Sequence, residues 1–322
     1  ALSRSKCYIK NVSQSNDMDA TIGCLEALGA KFTRNGSTLY LDATSFVEKN
    51  SEEHFTLNCK ESGTTLRIMI PICAALGLNV TFVGEGRLPF RPLDEYLTLL
   101  PQHGVTCAMG DNFLPLTIKG KLCGESFKIS PTISSQYVTG MLLAMSLLDN
   151  DTKLELTSDM VGSQYVDITT DVMQKFSVDV KFENNTYIIS GAQKLTAKPE
   201  YRDESVGINV EGDWSQAAFF LCAGALSEKG MTVTGLDVNS LQGDKKILEV
   251  LKDMGADVQI SGDEVTVKKK NLKGITIDAS DIPDLVPILS VVALASNGET
   301  RIINAGRLRI KESDRIKSVV EM

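Results

Sequence analysis

Histidine and long apolar runs are scarce in this chain, and each scarcity argues against a class of protein. The 322 residues include two histidines, so a histidine-based metal site is not expected. No apolar run reaches the ~18 residues of a membrane-spanning helix, and the first residues, ALSRSKCYIKN, lack the apolar core of a signal peptide. The formal net charge of -8 disfavours nucleic-acid binding.

Cysteine is present but shows no metal or disulfide pattern. The seven cysteines are scattered and form no CxxC pair, which is typical of small buried thiols in a reduced, cytoplasmic chain. Hydrophobic residues make up 43% of the chain and charged residues 23%, as in globular proteins. The length favours two domains over one.

A unit of helix, small-residue turn, strand, tight turn and strand recurs four times. The helices begin with DATIGCLEAL, PLDEYLTLL, VDITTDVMQ and KKILEVLKD. The small residue after the helix is Gly29, Gly104, Ser177 or Gly255, at near-equal spacing, and suits a left-handed helix cap. RNGS and SGDE are typical of hairpin turns. Repetition at this length predicts duplicated βα units that bury their faces against each other.

A more apolar helix precedes each copy, in TTLRIMIPICAALG, SQYVTGMLLAMSLL, SQAAFFLCAGAL and DLVPILSVVALAS. These segments are apolar nearly all round, so we expect them to be buried. The pattern breaks at KLTAKPEYRDESVGINVEGD, where proline, glycine and charges mark a linker or a chain crossing. We place the domain boundary near residue 205, giving domains 1–205 and 206–322.

Four loops carry residues that suit an anion. Ser62–Thr65 and Ser134–Gln136 each open an apolar helix, whose free N–H groups and dipole attract anions. GEGRLPFRP supplies loop arginines, and DIPDLVP places Asp284 ahead of an apolar helix, where it suits a general base. Each loop also has an ordinary interpretation, because hydroxyls cap core helices, loop arginines are often solvated and helix starts favour acids.

The segment RLRIKESDR, residues 307–315, concentrates cations in an acidic chain. It directly follows the predicted strand TRIIN, so it occupies a loop equivalent to the other anion candidates. A site for a multiply anionic substrate needs such cations, together with a carboxylic acid if protons must move. The alternative is a solvated charge cluster at a helix start.

Together these loops resemble those of the EPSP synthase (3-phosphoshikimate 1-carboxyvinyltransferase) family. ESGTTLR, GRLPFRP, SSQYVTGMLL, SQYVDIT, VEGDWSQAAFF, DIPDLVP and RLRIKESDR follow that family's order and spacing. The resemblance implies an α/β (α+β) fold of two domains, an inside-out α/β barrel-like fold built from repeated βαβαββ units that closes over the substrates. It also implies transfer of the enolpyruvyl group of phosphoenolpyruvate to the 5-hydroxyl of shikimate 3-phosphate.

The resemblance also implies the role of each site residue. Asp284 corresponds to the base that takes the 5-hydroxyl proton, Glu312 to the acid that protonates the methylene carbon, and Lys311 to a lysine that bridges both substrates. The implied substrate-binding residues are Gly63, Thr64, Arg67, Arg91, Ser134, Ser135, Gln136, Tyr165 and Arg315. Of these, Ser134–Gln136 and Tyr165 correspond to the shikimate 3-phosphate side. Gly63, Thr64, Arg91 and Arg315 correspond to the phosphoenolpyruvate side, where glyphosate also binds.

No metal or organic cofactor is expected, and the implied partners are the two small substrates, with no nucleic acid and no membrane, in a monomer. The family's Lys-Ser and His-Arg motif near its start and its Asp-His-Arg motif near its end are not found, so we expect a chain truncated at both ends. The alternative function is a non-catalytic fragment that binds shikimate 3-phosphate only. Two related families are disfavoured. The sister enolpyruvyl transferase that acts on a UDP-sugar lacks RIKESDR. RNA 3'-phosphate cyclase needs a nucleophilic histidine, and neither His54 nor His103 lies in such a context.

Overall fold

The fold is that of a computed structural model, which describes residues 1–47, 53–160, 162–311 and 313–322. The chain folds into two compact units. The first unit comprises Ala1–Met160 and Thr169–Val210, and the second comprises Val161–Ile168 and Glu211–Met322. The proposed domain boundary near residue 205 and the assignment of a substrate to each domain stay predictions.

The first unit holds three four-stranded sheets and most of five helices. Its elements are β1 (Lys6–Lys10), α1 (Asn16–Ala27), β2 (Lys31–Asn35), β3 (Thr38–Asp42), β4 (His54–Asn58), α2 (Gly63–Ala75), β5 (Asn79–Val83), α3 (Asp94–Gln102), β6 (Val105–Met109), β7 (Leu116–Gly120), β8 (Ser126–Ile129), α4 (Gln136–Met145), β9 (Thr152–Leu156), α5 (Ser163–Lys175), β10 (Lys181–Glu183), β11 (Thr186–Ile189) and β12 (Ile208–Asn209). The segment that opens α5 belongs to the second unit.

The three sheets share one strand order, which confirms the predicted βαβαββ repeat. The orders are β12-β1-β3-β2, β4-β5-β7-β6 and β8-β9-β11-β10. In each sheet the first pair is parallel and the other pairs are antiparallel. The first sheet takes its edge strand, β12, from the far end of the unit, so the break predicted around residues 194–213 is a chain crossing.

The second unit repeats part of this order. Its elements are α6 (Trp214–Leu226), β13 (Met231–Val233), α7 (Ile247–Asp253), β14 (Asp257–Ser261), β15 (Glu264–Lys268), β16 (Thr276–Asp278), α8 (Val286–Leu294), β17 (Arg301–Ile303) and α9 (Arg315–Glu321). The sheet β13-β15-β14 is antiparallel, and β16 pairs with β17 in parallel. Short 3₁₀ turns at Gly243–Lys246, Pro283–Leu285 and Gly306–Ile310 connect these elements.

The repeated helix ends have the conformation that the sequence predicts. The backbone φ is +97° at Gly29, +86° at Gly104, +66° at Ser177 and +96° at Gly255, so all four residues lie in the left-handed region. These residues end α1, α3, α5 and α7 and turn the chain into a hairpin. The predicted hairpin turns are confirmed, since Gly36 joins β2 to β3 and Gly262 joins β14 to β15, both with positive φ.

The prediction that all four apolar helices are buried is right for α2 and α4, whose apolar side chains are buried almost throughout. It is wrong for parts of α6 and α8, where Phe220 is 56% exposed and Leu294 is 89% exposed. The apolar pattern around a helix reports hydrophobicity on each face but not what packs against it.

Five of the seven cysteines are buried and all seven are free thiols, but Cys123 is exposed, contrary to the prediction. Among the described helices, none combines the length and apolar character that crossing a membrane requires.

Candidate active site

The start of α2 brings several of the predicted anion-binding residues together in the first unit. Ser62 caps the helix, because its Oγ accepts a hydrogen bond from the backbone N–H of Thr65 at 3.2 Å. The next residue, Gly63, is buried, and a Cβ at this position would clash with Nη1 of Arg91. Glycine here therefore allows the Arg91 guanidinium to lie directly against the helix start, where both favour an anion.

Arg67, one turn into α2, orients Gln136 at the start of α4. Its side chain is only 2% exposed, and its guanidinium donates to Oε1 of Gln136 at 3.0 Å and to the carbonyl of Pro92 at 3.0 Å. The amide Nε2 of Gln136 donates to Oγ1 of Thr64 at 2.7 Å. Because both ends of the Gln136 amide are bonded, its orientation is fixed between the two helix starts.

Ser134 and Ser135 precede Gln136 at the start of α4. Ser134 Oγ accepts a hydrogen bond from the Gln136 N–H at 3.2 Å, and Ser135 is 7% exposed with no side-chain bond to the helix cap. We call Gly63, Thr64, Arg67, Arg91, Ser134, Ser135 and Gln136 the first-unit cluster. It combines two helix N-termini, hydroxyls and guanidinium groups, which together suit a phosphate or a carboxylate.

Asp284 is the centre of a second group of predicted residues, in the second unit. Its Oδ2 accepts a hydrogen bond from the Tyr165 hydroxyl at 3.1 Å. Its Oδ1 forms an ion pair with Nη1 of Arg315 and lies 4.0 Å from Nζ of Lys311. We call Tyr165, Asp284, Lys311 and Arg315 the second-unit cluster. Its four members come from three separate stretches of sequence.

The surroundings of Asp284 set its protonation. Burial raises the pKa of its carboxyl, but Lys311, Arg315 and the Tyr165 hydroxyl outweigh burial and hold the pKa below its usual value. Desolvation and the neighbouring carboxylate of Asp284 raise the pKa of Tyr165, so this hydroxyl keeps its proton and acts as a donor. Asp284 is therefore an ionised acceptor at neutral pH.

Other charges of the RLRIKESDR segment stabilise α9 and a neighbouring turn. Arg309 pairs with Asp314 at 3.0 Å, and Asp314 caps α9 by accepting from the Lys317 N–H at 3.0 Å. Arg307 donates to the carbonyl of Ser280 at 2.9 Å, and burial lowers its pKa. Lys311 and Arg315 are thus the cations that join the described part of this segment to Asp284. The predicted acid, Glu312, lies outside the described residues.

Comparison with known proteins shows which family combines these features. The sequence model of the EPSP synthase (3-phosphoshikimate 1-carboxyvinyltransferase) family matches residues 1–322. The chain belongs to the EPSP synthase family. The 3-phosphoshikimate 1-carboxyvinyltransferase of Clostridium novyi is 42% identical to it, over 99% of this chain and 73% of that protein. The corresponding enzyme of Clostridium kluyveri is 41% identical, over 99% of this chain and 72% of that protein.

Solved EPSP synthases share the fold. A structure of the enzyme from Acinetobacter baumannii superimposes with a TM-score of 0.78 at 24% sequence identity, covering 100% of this chain and 73% of that one. The family resemblance and the mixed α/β fold class expected from the loops are therefore confirmed. The roles of individual residues stay predictions.

The loop interpretation missed a buried carboxyl that lies near Asp284 and Lys311 of the second-unit cluster. Asp244, in the turn Gly243–Lys246, is 4% exposed and accepts a hydrogen bond from the Ser215 hydroxyl. In the sequence it stands in LQGDKK, which is indistinguishable from an exposed polar loop before a helix. No pattern in a single sequence separates a buried acid of this kind from a solvated one.

Proposed function

We propose that this chain transfers the enolpyruvyl group of phosphoenolpyruvate to the 5-hydroxyl of shikimate 3-phosphate, a step of the shikimate pathway that leads to chorismate and the aromatic amino acids. The observation that carries the proposal is membership of the EPSP synthase family along the whole chain. The 5-hydroxyl oxygen bonds to C2 of phosphoenolpyruvate, its proton passes to a base and the methylene carbon takes up a proton. The methylene carbon thereby becomes a methyl group in a tetrahedral intermediate. This intermediate then loses a proton from the methyl group together with phosphate, which restores the double bond.

Asp284 is the base in this proposal. Its carboxylate is ionised and fixed in direction, because Tyr165 binds one oxygen and Arg315 the other. Neighbouring cations lower the pKa of a carboxylate and so weaken it as a base. An anionic substrate that binds the same cations partly neutralises them. Binding of a phosphate or carboxylate at Lys311 and Arg315 weakens their hold on Asp284 and raises its affinity for the hydroxyl proton.

The cations of the second-unit cluster also answer an electrostatic need. Both substrates are multiply anionic and repel each other, so holding them within bonding distance requires cations placed in advance. Lys311 and Arg315 meet this need beside the proposed base. Glu312 is proposed as the acid that protonates the methylene carbon, from the family resemblance alone.

The first-unit cluster binds the substrates. We assign Ser134, Ser135 and Gln136 to shikimate 3-phosphate, because hydroxyls at a helix start match a phosphate group. Gly63, Thr64 and Arg91 are assigned to phosphoenolpyruvate. Arg67 fixes the orientation of Gln136, since its buried guanidinium donates a hydrogen bond to the Gln136 amide oxygen. We expect a cytoplasmic monomer that needs no cofactor.

Calorimetry and a phosphate-release assay test this function together. The chain is titrated with shikimate 3-phosphate, then again with phosphoenolpyruvate present, and phosphate is measured over time. Tighter binding of the first substrate in the presence of the second, with release of phosphate, is the expected result. Binding of shikimate 3-phosphate without any phosphate release supports the non-catalytic alternative. Absence of binding contradicts both.

A further inference from the structure

Asp244 is a buried carboxyl whose electrostatic neighbours include Asp284 and Lys311 of the second-unit cluster. Its side chain is 4% exposed, and its Oδ2 accepts a hydrogen bond from the Ser215 hydroxyl. Its Oδ1 is buried and has no hydrogen-bond partner among the described residues. Burying a carboxyl with half of its acceptors unsatisfied is costly for folding, so its presence calls for a function.

The turn that carries Asp244 packs against the segments that carry Asp284 and Tyr165. A Cβ on Gly243 would lie 3.1 Å from the carbonyl oxygen of Asp281 and 3.4 Å from Cδ of Gln164. Since these atoms belong to the turn before Asp284 and to the residue before Tyr165, the backbone at Gly243 lies close to both segments that hold the proposed base. Asp244 is the next residue in the chain after Gly243, so the same turn positions its carboxyl.

The same turn also holds the start of α6. Gln242 accepts a hydrogen bond from the Trp214 N–H at 2.9 Å and donates to the Gly212 carbonyl at 2.9 Å. Asp244 adds the bond to Ser215, in the first turn of α6. The Gln242–Asp244 segment therefore lies against three parts of the second unit. The side chains of Gln242 and Asp244 bond to the start of α6, and the backbone at Gly243 lies close to Asp281 and Gln164.

Four ionisable groups face Asp244, from different elements. Asp284 and Asp213 place negative charge near it, Lys311 places positive charge, and the Tyr165 hydroxyl is neutral. Burial raises the pKa of Asp244 to about 6, with Asp284 and Asp213 acting in the same direction and Ser215 and Lys311 against it. Asp244 thus gains its charge in the pH range in which an enzyme works.

We propose that Asp244 is a positioning residue whose negative charge offsets the cations around Asp284 and strengthens it as a base. The inference rests on the proposed function, because that function makes Asp284 the base. Lys311 and Arg315 favour the ionised form of Asp284, whereas a nearby carboxylate disfavours it and so raises its affinity for a proton. Asp244 acts on Asp284 through the electrostatic interaction between the two carboxyls and through the turn at Gly243, which packs close to Asp281. We assign it no contact with substrate.

The variant Asp244→Asn tests the charge with little change of shape, because the amide oxygen still accepts from Ser215. Without the Asp244 charge, Asp284 holds a proton less tightly and is a weaker base. We therefore expect kcat to fall on the order of 10-fold at pH 7.5, with both KM values within ~2-fold. The ionisation near pH 6 should also leave the pH profile of kcat. Asp263→Asn, at an exposed carboxyl that accepts from the Gly235 N–H, is the matched control and should keep both kcat and the profile. An Asp244→Asn enzyme with the kcat and pH profile of the parent overturns the inference.

A titration that needs no turnover separates this inference from the proposed function. With ¹³C-labelled aspartate, the Asp244 carboxyl should titrate near pH 6 in the parent chain. It should titrate at lower pH in Asp284→Asn, because a neighbouring negative charge is gone. If the chain releases no phosphate but this coupling is found, only the proposed function fails. An Asp244 titration that Asp284→Asn leaves unmoved overturns the inference, whatever the activity.

Discussion

The Tyr165 hydroxyl donates a hydrogen bond to Oδ2 of Asp284 at 3.1 Å, although the two residues are 119 positions apart in the sequence. Arg315 binds the other carboxylate oxygen, so the carboxyl plane is held from both ends. Each of the three residues belongs to a different motif. Their meeting within the second unit makes the protonation of Asp284 the property that most directly tests the proposed chemistry.

Replacing Asp284 by asparagine should abolish catalysis and spare the binding of shikimate 3-phosphate. Asparagine keeps the size of the side chain but cannot accept the hydroxyl proton, and general-base catalysis contributes ~10²–10⁴-fold in rate. We expect phosphate release to fall by at least ~10²-fold, with the calorimetric Kd within a few-fold of the parent value. Asp253→Asn, at an exposed position on α7, should keep its activity. Near-normal turnover in Asp284→Asn would remove Asp284 from the role of base.

Replacing Tyr165 by phenylalanine should move the acid limb that Asp284 causes in the pH–rate profile, which lies below the ionisation of Asp244, to higher pH. The Tyr165 hydroxyl is one of the groups that lower the pKa of Asp284, so its loss raises that pKa. Because the base must be ionised to accept a proton, activity should then be lost at a higher pH as the solution is acidified. The measurement is kcat against pH for both enzymes. A limb that stays in place or moves to lower pH contradicts the assignment.

The sequence predicted the local structure of this chain better than the environment of its charges. The left-handed caps at Gly29, Gly104 and Gly255 follow from residue type, and even Ser177 was found by its position in the repeat. Local propensity and periodicity act over a few residues, so a single sequence reveals them. The composition of residues 194–213 likewise indicated the chain crossing. It did not indicate that β12, within this segment, pairs with β1.

Burial of polar groups depends on contacts that periodicity does not encode. Asp244 was missed because its partners, Ser215 and the turn at Asp281, are distant in the sequence. The exposure of Phe220 and Leu294 on apolar helices was missed for the same reason. The RLRIKESDR segment was recognised as a whole, yet the structure separates Lys311, which lies near Asp284, from cations that stabilise α9 or a neighbouring turn.

Removing both hydroxyls of Ser134 and Ser135 should weaken the binding of shikimate 3-phosphate. Hydrogen bonds to a charged group contribute ~1.5–3 kcal/mol each, so the double alanine variant should bind at least ~10-fold more weakly by calorimetry. Thr132→Ala, in the same loop but exposed, is the control and should bind normally. Unchanged affinity in the double variant would place the phosphate elsewhere.

Adding one methyl group at Gly63 should weaken binding of phosphoenolpyruvate without affecting shikimate 3-phosphate. The new Cβ would occupy the space of the Arg91 guanidinium and crowd Nη1 of Arg67 at 3.1 Å, so Arg91 must move. We expect KM for phosphoenolpyruvate to rise ~10-fold or more, since loss of a charge-assisted contact costs ~1.5–3 kcal/mol. Gly36→Ala controls for a glycine with open space around it, and its effect should fall on stability alone because its φ is +59°. A Gly63→Ala enzyme with unchanged KM would exclude Arg91 as a ligand of that substrate.

The last prediction concerns the stability cost of Asp244. Its pKa is raised from 3.8 to about 6 in the folded chain, so the folded state binds the proton more tightly than the unfolded state does. Stability from this group is therefore full below pH 3.8 and is lost as pH rises to about 6. Asp244→Asn has no such charge, so it should be more stable than the parent by about 2–3 kcal/mol at pH 7.5 and nearly equal to it at pH 3.5.

Thermal unfolding of both chains across this pH range measures the difference. Asp263→Asn, whose carboxyl is exposed, is the matched control and should show no comparable gain in stability at pH 7.5. The expected gain in stability at neutral pH accompanies the expected loss of kcat, because the same buried charge is responsible for both. If Asp244→Asn is instead less stable at pH 7.5, the Ser215 bond outweighs the cost of burying the charge, and the carboxyl is a structural link rather than a charge retained for catalysis.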